Sequence, residues 1–136
     1  FNITPDTRIL TEEGVLNVRE FVGYGETSFI NNVVYVVADG IDAVLVSTAP
    51  YGTVNVRGTV YAADAGTLSI RRASVYNPST YKWENIADST VNILSNTIAI
   101  ENGKLIDPSS IRKGDVVRII KRDSSAGGDA YIIIVE

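Results

Sequence analysis

Apolar positions recur at every second residue through most of this chain, the spacing that puts one set of side chains on a single face of a β-strand. Val33-Val34-Tyr35-Val36-Val37 runs into Ala38-Asp39-Gly40-Ile41-Asp42, and Ala43-Val44-Leu45-Val46 follows. Asp-Gly between two β-branched runs predicts strand, turn, strand. Thr7–Thr11, the turn Glu12-Glu13-Gly14 and Val15–Val18 predict a second pair, because glycine supplies the positive φ of a tight turn. Val56–Ala62 alternates, Asp64-Ala65-Gly66 turns, and Thr67–Tyr76 carries Leu68, Ile70, Ala73 and Val75. Pro78 fixes φ and lacks a donor, so Asn77-Pro78-Ser79-Thr80 predicts a turn before Tyr81–Ile86 returns. Val91–Leu94, Thr97–Ile100, the turn Glu101-Asn102-Gly103, and two closing strands at Asp115–Lys121 and Ala130–Val135 complete an all-β reading. Helix signals are few: one turn over Pro108–Lys113, with Asp107 or Ser109 at its start and Gly114 as its stop, and one over Val18–Val22.

The chain also echoes itself. Asp6–Phe21 lines up with Asn96–Ile111: each copy has a threonine-led strand, a glycine turn and a short turn-like segment. A Val/Ile-rich strand follows in both, Val33–Val37 and Val116–Ile120, and then a last strand, Ala43–Val46 and Tyr131–Val135. Two tandem modules are expected, over residues 1–50 and 51–136. They are unequal, since the second opens with strands around Val56–Ala62 and Thr67–Tyr76 that the first lacks. Either such strands lie upstream of Phe1 or the first module borrows pairing from the second. About 50 residues bury a core poorly on their own. Residues 1–50 carry seven acids and two bases, and residues 51–136 nine acids and ten bases, an asymmetry that weakly favours packing of one on the other.

Composition narrows the chemistry. The 136 residues contain no cysteine, histidine or methionine. Disulfides, the usual zinc, haem and iron–sulfur ligand sets, a Ser-His-Asp triad and a Cys-His dyad are therefore excluded. No metal, no cofactor and no catalytic residue is expected. Enzyme work would need paired carboxylates in a pocket, for which Glu84 and Asp88 are the nearest candidates. A chain that opens on Phe1 without methionine is expected to be a piece of something longer. A net charge of −4 argues against a nucleic-acid partner, and the lack of a long apolar stretch against a membrane span. Zero cysteine suits an exported bacterial protein and a cytosolic one equally.

Asn102–Ile120, followed by Ile132-Ile133-Ile134-Val135, resembles repeat modules found beside S-layer homology domains in cell-surface proteins of Gram-positive, clostridia-like bacteria. Val34–Gly40 with Ala43 and Val44 looks like the matching end of a preceding module. The resemblance implies a small OB-like five-stranded barrel at 51–136, preceded by β-hairpins of an incomplete sister module at 1–50. It also implies an extracellular place at the cell wall or S-layer, and a structural or adhesive spacer role with neighbouring modules as partners. In the motif itself, Ile111 is expected to plug the barrel end, Gly114 to permit the turn, and Asp115 to accept backbone N–H bonds. Thr4–Gly14 is similar to the opening of an intein or Hint domain, but Ile3 stands where the nucleophile would be and no histidine exists, so splicing is not expected.

Tyr76, Tyr81 and Trp83 flank the Asn77–Thr80 turn, with Arg71, Arg72 and Lys82 close by. Aromatics beside cations on a barrel face stack sugar rings or bases, which makes this the expected site of any wall or extracellular glycan. The competing reading is a set of cross-strand pairs holding a hairpin, worth roughly 0.2–1 kcal/mol each. Asp39, Asp42 and Glu26 lack the spacing of a calcium loop and read as turn residues. Arg112, Lys113, Arg118, Lys121 and Arg122, interleaved with acids, read as a solvated edge that guards against strand addition. Ser124–Asp129 reads as a hairpin loop.

Overall fold

The computed structural model describes residues 1–11, 14–16, 34–47, 54–121 and 127–136. The chain divides into two compact units, Phe1–Tyr51 and Gly52–Glu136. The predicted turn at Val18–Val22, Glu26, Arg122 and the loop residues 124–126 lie outside the described residues. None of the described helical segments is long and apolar enough to cross a membrane.

In the first unit, β1 (Asn2–Thr11), β2 (Gly14–Leu16), β3 (Tyr35–Asp39) and β4 (Asp42–Ser47) form a sheet in the order β2-β1-β4-β3. The β3–β4 hairpin turns at Gly40, whose φ of 62° is cheap only for glycine. β1 runs parallel to β4, and its register slips between Ile3 and Arg8, around Pro5, which has no N–H to give a ladder. Buried Thr7 holds this bulge: its Oγ1 accepts from the Thr4 N–H at 2.9 Å and donates to the Ala43 carbonyl at 2.6 Å. Ile9, Ala43 and Val46 form a small core with Val36 packed against it.

The second unit comprises β5 (Val54–Asp64), β6 (Thr67–Asn77), β7 (Lys82–Asn85), β8 (Ser89–Glu101), β9 (Lys104–Ile106), a 3₁₀ turn at Pro108–Ser110, β10 (Val116–Lys121) and β11 (Asp129–Val135). β5, β6, β8, β11 and β10 close into a five-stranded barrel, in which β8 and β11 are parallel and every other pair antiparallel. This is the OB-like order, with a 3₁₀ turn before its fourth strand. The segments predicted separately at Val91–Leu94 and Thr97–Ile100 are one strand, because the break between them is a bulge.

Alternation sorts the side chains. Val56, Val60, Leu68, Ile70, Val91, Val117, Ile119 and Ile133 point inward and are buried. Ile111 joins them from beyond the 3₁₀ turn, Gly114 takes a φ of 97°, and Asp115 Oδ2 accepts from the Arg112 N–H at 2.9 Å, as the motif predicts. Asp107 caps the 3₁₀ turn, accepting from the Ser109 N–H at 2.9 Å, and that bond lowers its carboxyl below the ordinary 3.8. A depressed pKa makes the cap's contribution complete above the unfolded value and lost as pH falls through the folded one. An NMR titration of the Asp107 side-chain carbonyl is expected to show a midpoint below 3.8.

Arg118 and Lys121, the described bases of the run on β10, do not lie on an edge. β10 is paired by β5 on one side and β11 on the other, so it needs no protection from strand addition. Lys121 is buried, its Nζ donating to the Gly127 carbonyl at 2.6 Å. The expectation failed because a charge on the outward face of a central strand, such as Arg118, reads in sequence as one on an edge does, while Lys121 takes the buried face.

The two sheets share their registers. Ile3↔Ala43 and Ile9↔Val46 in the first match Ile93↔Ala130 and Ala99↔Ile133 in the second, with the slip in the same place. Thr97 repeats the bonds of Thr7, accepting from the Leu94 N–H at 2.8 Å and donating to the Ala130 carbonyl at 2.7 Å. Asn2–Asp42 and Asn92–Asp129 are likewise the same side-chain bond, each at 3.1 Å.

Candidate functional site: the aromatic hairpin

β6 shares its far side between two partners. Thr67–Ile70 pair with β8, Ser74–Asn77 pair with β7, and the two ladders follow one continuous register interrupted at the bulge that carries Arg72, φ 53°. β7 is thus the outer stretch of the strand that becomes β8, and the aromatic turn is the tip of a hairpin projecting from the barrel. Pro78 cannot extend the ladder, and the Asn77 side chain closes the turn by accepting from the Ser79 N–H at 2.9 Å.

At that tip Tyr76 and Trp83 are direct cross-strand partners, with ring centroids 5.4 Å apart and planes tilted by 57°. Tyr81 stands in the turn with its backbone in the left-handed region, φ 57°, and 81% of its surface exposed. Lys82 is exposed opposite Asn77. Arg71 is placed elsewhere: it lies before the β6 bulge with its guanidinium 4.1 Å from the Tyr61 ring centroid. The cation over Trp83 is instead Arg118 of β10, at 5.5 Å.

The registers explain that assembly. Tyr76 and Ser74 share one face of β6, Ser74 opposes Arg57 on β5, and Arg57 opposes Arg118 on β10. Two arginines placed directly across a ladder repel. Glu136 lies between them, its Oε2 accepting from Arg57 Nε at 3.1 Å and Nη2 at 2.6 Å, its Oε1 3.3 Å from Arg118 Nη2. All three side chains are partly exposed, so each ion pair contributes at most about 1 kcal/mol. Arg118 Nε is buried without a hydrogen-bond partner, and the cation–π contact with Trp83 offsets part of that cost. Arg118 and Glu136 are distant from the turn in sequence, and only the register of β10 on β5 would have revealed them.

Trp83→Ala removes both the Tyr76 pair and the Arg118 contact, and is expected to cost about 1–2 kcal/mol in urea unfolding followed by circular dichroism. Tyr81→Gly is expected to stabilise by about 1 kcal/mol, since it relieves the positive φ and forfeits little packing.

Other constellations are ordinary. Glu84 is exposed and accepts from Asn77 Nδ2 at 2.9 Å, while Asp88 is exposed beyond the end of β7. Among the described residues no three acidic side chains group as a metal site. An open pocket of about 520 Å³ lies at the barrel end where the β5–β6 turn, the β8 bulge and the 3₁₀ turn meet, and its lining contains no aromatic or basic side chain. Comparison with family models, curated proteins and solved structures finds no match for this chain. Fold and surface define an all-β protein with an OB-like barrel carrying one aromatic hairpin.

Proposed function

We propose that the chain is a pair of tandem β-modules acting as a non-enzymatic structural or adhesive spacer in an exported, S-layer-associated protein of the bacterial cell surface. The observation that carries this is the repeated strand geometry: the same slipped parallel pair, threonine bonds and Asn–Asp bond occur in both units. Repetition of one small β-unit within a chain is the economy of extended surface proteins, where length and stability matter more than a pocket. Antibodies raised against the Gly52–Glu136 unit are expected to label intact cells of the source organism. Labelling only after lysis overturns the surface reading.

A second reading makes the hairpin a glycan-binding surface for cell-wall or extracellular polysaccharide. It is favoured by Tyr81, a large ring kept exposed in a conformation that suits glycine, an outlier of the kind that collects at functional sites. OB-type barrels bind on the face of their second and third strands, which correspond here to β6 and β8, and the hairpin extends those strands. Trp83 is the sole tryptophan, so its fluorescence reports on this surface alone. Under the glycan reading, soluble wall fragments shift that emission saturably and Tyr81→Gly abolishes the shift. An unchanged spectrum at millimolar fragment removes the reading.

A further inference from the structure

We infer that the open side of the first sheet is an acceptor for one β-hairpin built like β5–β6, which would close it into a second five-stranded barrel. The inference rests on the module reading but not on the cellular location. Shared registers identify which residues correspond. Val34 and Val36 stand where Val117 and Ile119 stand in the second unit, and Phe1 and Ile3 where Val91 and Ile93 stand. In the closed barrel those positions are covered: Val117 faces Gly58, Ile119 faces Val56, and Val91 faces Leu68.

In the first unit the same positions are open. Val34 is 39% exposed where Val117 is 0%. Ile3 is exposed too, and Val36 only partly buried where Ile119 is fully so. Among the described residues, β3 pairs with β4 alone, and the first half of β1 also pairs only with β4. An edge strand with an unpaired ladder and inward apolar residues is the template for strand addition.

Two observations select the occupant. The corresponding surface of the second unit is covered by a hairpin, β5–β6, whose inward residues are Val56, Val60, Leu68, Ile70 and Ala73 beside a glycine at the close approach, Gly58. Charge agrees: residues 54–77 carry three arginines and one aspartate, whereas residues 1–50 carry seven acids and two bases. A hairpin of that pattern is complementary to the acidic unit in both shape and sign.

The test uses the full 136-residue chain. A labelled peptide of residues 54–77 is titrated in, and NMR follows the exchange of those Tyr35–Ala38 amides that point away from β4. Saturable binding is expected, with those amides slowed by about tenfold or more. Val36→Asp should abolish binding while leaving the Trp83 emission unchanged. Because a free hairpin is marginally stable, a second variant joins a copy of residues 54–91 directly to Asn2, reproducing the chain order of the second unit. The same amides are expected to slow in this fusion. The acceptor is overturned if they exchange slowly before any hairpin is added, if they remain fast in the fusion, or if the chain alone dimerises through β3. Loss of the β1–β4 and β1–β2 pairings by NMR would instead sink the module reading itself, which separates the two failures.

Discussion

Thr97→Val is expected to lower the unfolding free energy of the barrel by about 2–4 kcal/mol, because it strands two backbone groups at once. The Thr97 hydroxyl accepts from the Leu94 N–H and donates to the Ala130 carbonyl, and it does so at the bulge where β8 skips register on β11. Valine matches threonine in shape, so packing changes little and the cost reports the lost bonds. Thr97→Ser keeps the hydroxyl and is expected to recover most of the stability, to within about 1 kcal/mol of the parent. Equal losses in the two variants would mean that the methyl group, not the hydroxyl, matters at this site. Thr7→Val removes the same bonds from the first sheet. Its effect should be confined to amides of Phe1–Tyr51, with the Trp83-reported transition unmoved.

Local patterning made most of the strands legible. Alternation located β3 to β6 and β10 to β11, and glycine turns at Gly40, Gly66 and Gly103 all take positive φ. The internal echo was visible because the threonine at the bulge serves two backbone groups in both units, and so recurs even where the apolar residues differ; the glycines do not correspond, since Gly14 pairs with Thr11 as Lys104 pairs with Glu101. Legibility stopped where partners are distant in sequence. A period of two says which face a residue takes but not whether its strand is central or peripheral, so the charges on β10 were assigned to an edge. The aromatic pair Tyr76–Trp83 follows from the turn, since Asn77 and Lys82 fix the register on either side of it. Arg118 over Trp83 does not follow, because it depends on barrel closure bringing β10 beside β5. Arg71 was drawn to the aromatics by sequence proximity, but the bulge at Arg72 separates it from the hairpin tip.

That bulge defines the second large effect, at Gly58. Between Arg57↔Ser74 and Thr59↔Arg71 the β6 strand spends one residue more than β5, and Gly58 sits opposite the excess. A Cβ on Gly58 would lie 3.0 Å from the Arg71 carbonyl oxygen and 3.1 Å from Ile70 Cβ. Neither neighbour can yield, since one is backbone and the other belongs to a fully buried side chain. Gly58 also opposes Val117, so displacing it disturbs the β5–β10 seam as well as the β5–β6 one. Gly58→Ala is expected to cost about 1–3 kcal/mol, and Gly58→Val more, as overpacking of a closed interior. Arg72→Gly should act in the opposite direction at the same bulge, gaining about 1 kcal/mol by removing a side chain from a φ of 53°. Urea midpoints of the three variants decide the matter. If Gly58→Val shifts the midpoint no more than a typical surface change, the strands are not closed as tightly as the 3.0 Å approach requires. If it unfolds the barrel while Arg72→Gly tightens it, the bulge strains both strands, and glycine on β5 is what permits the barrel to close.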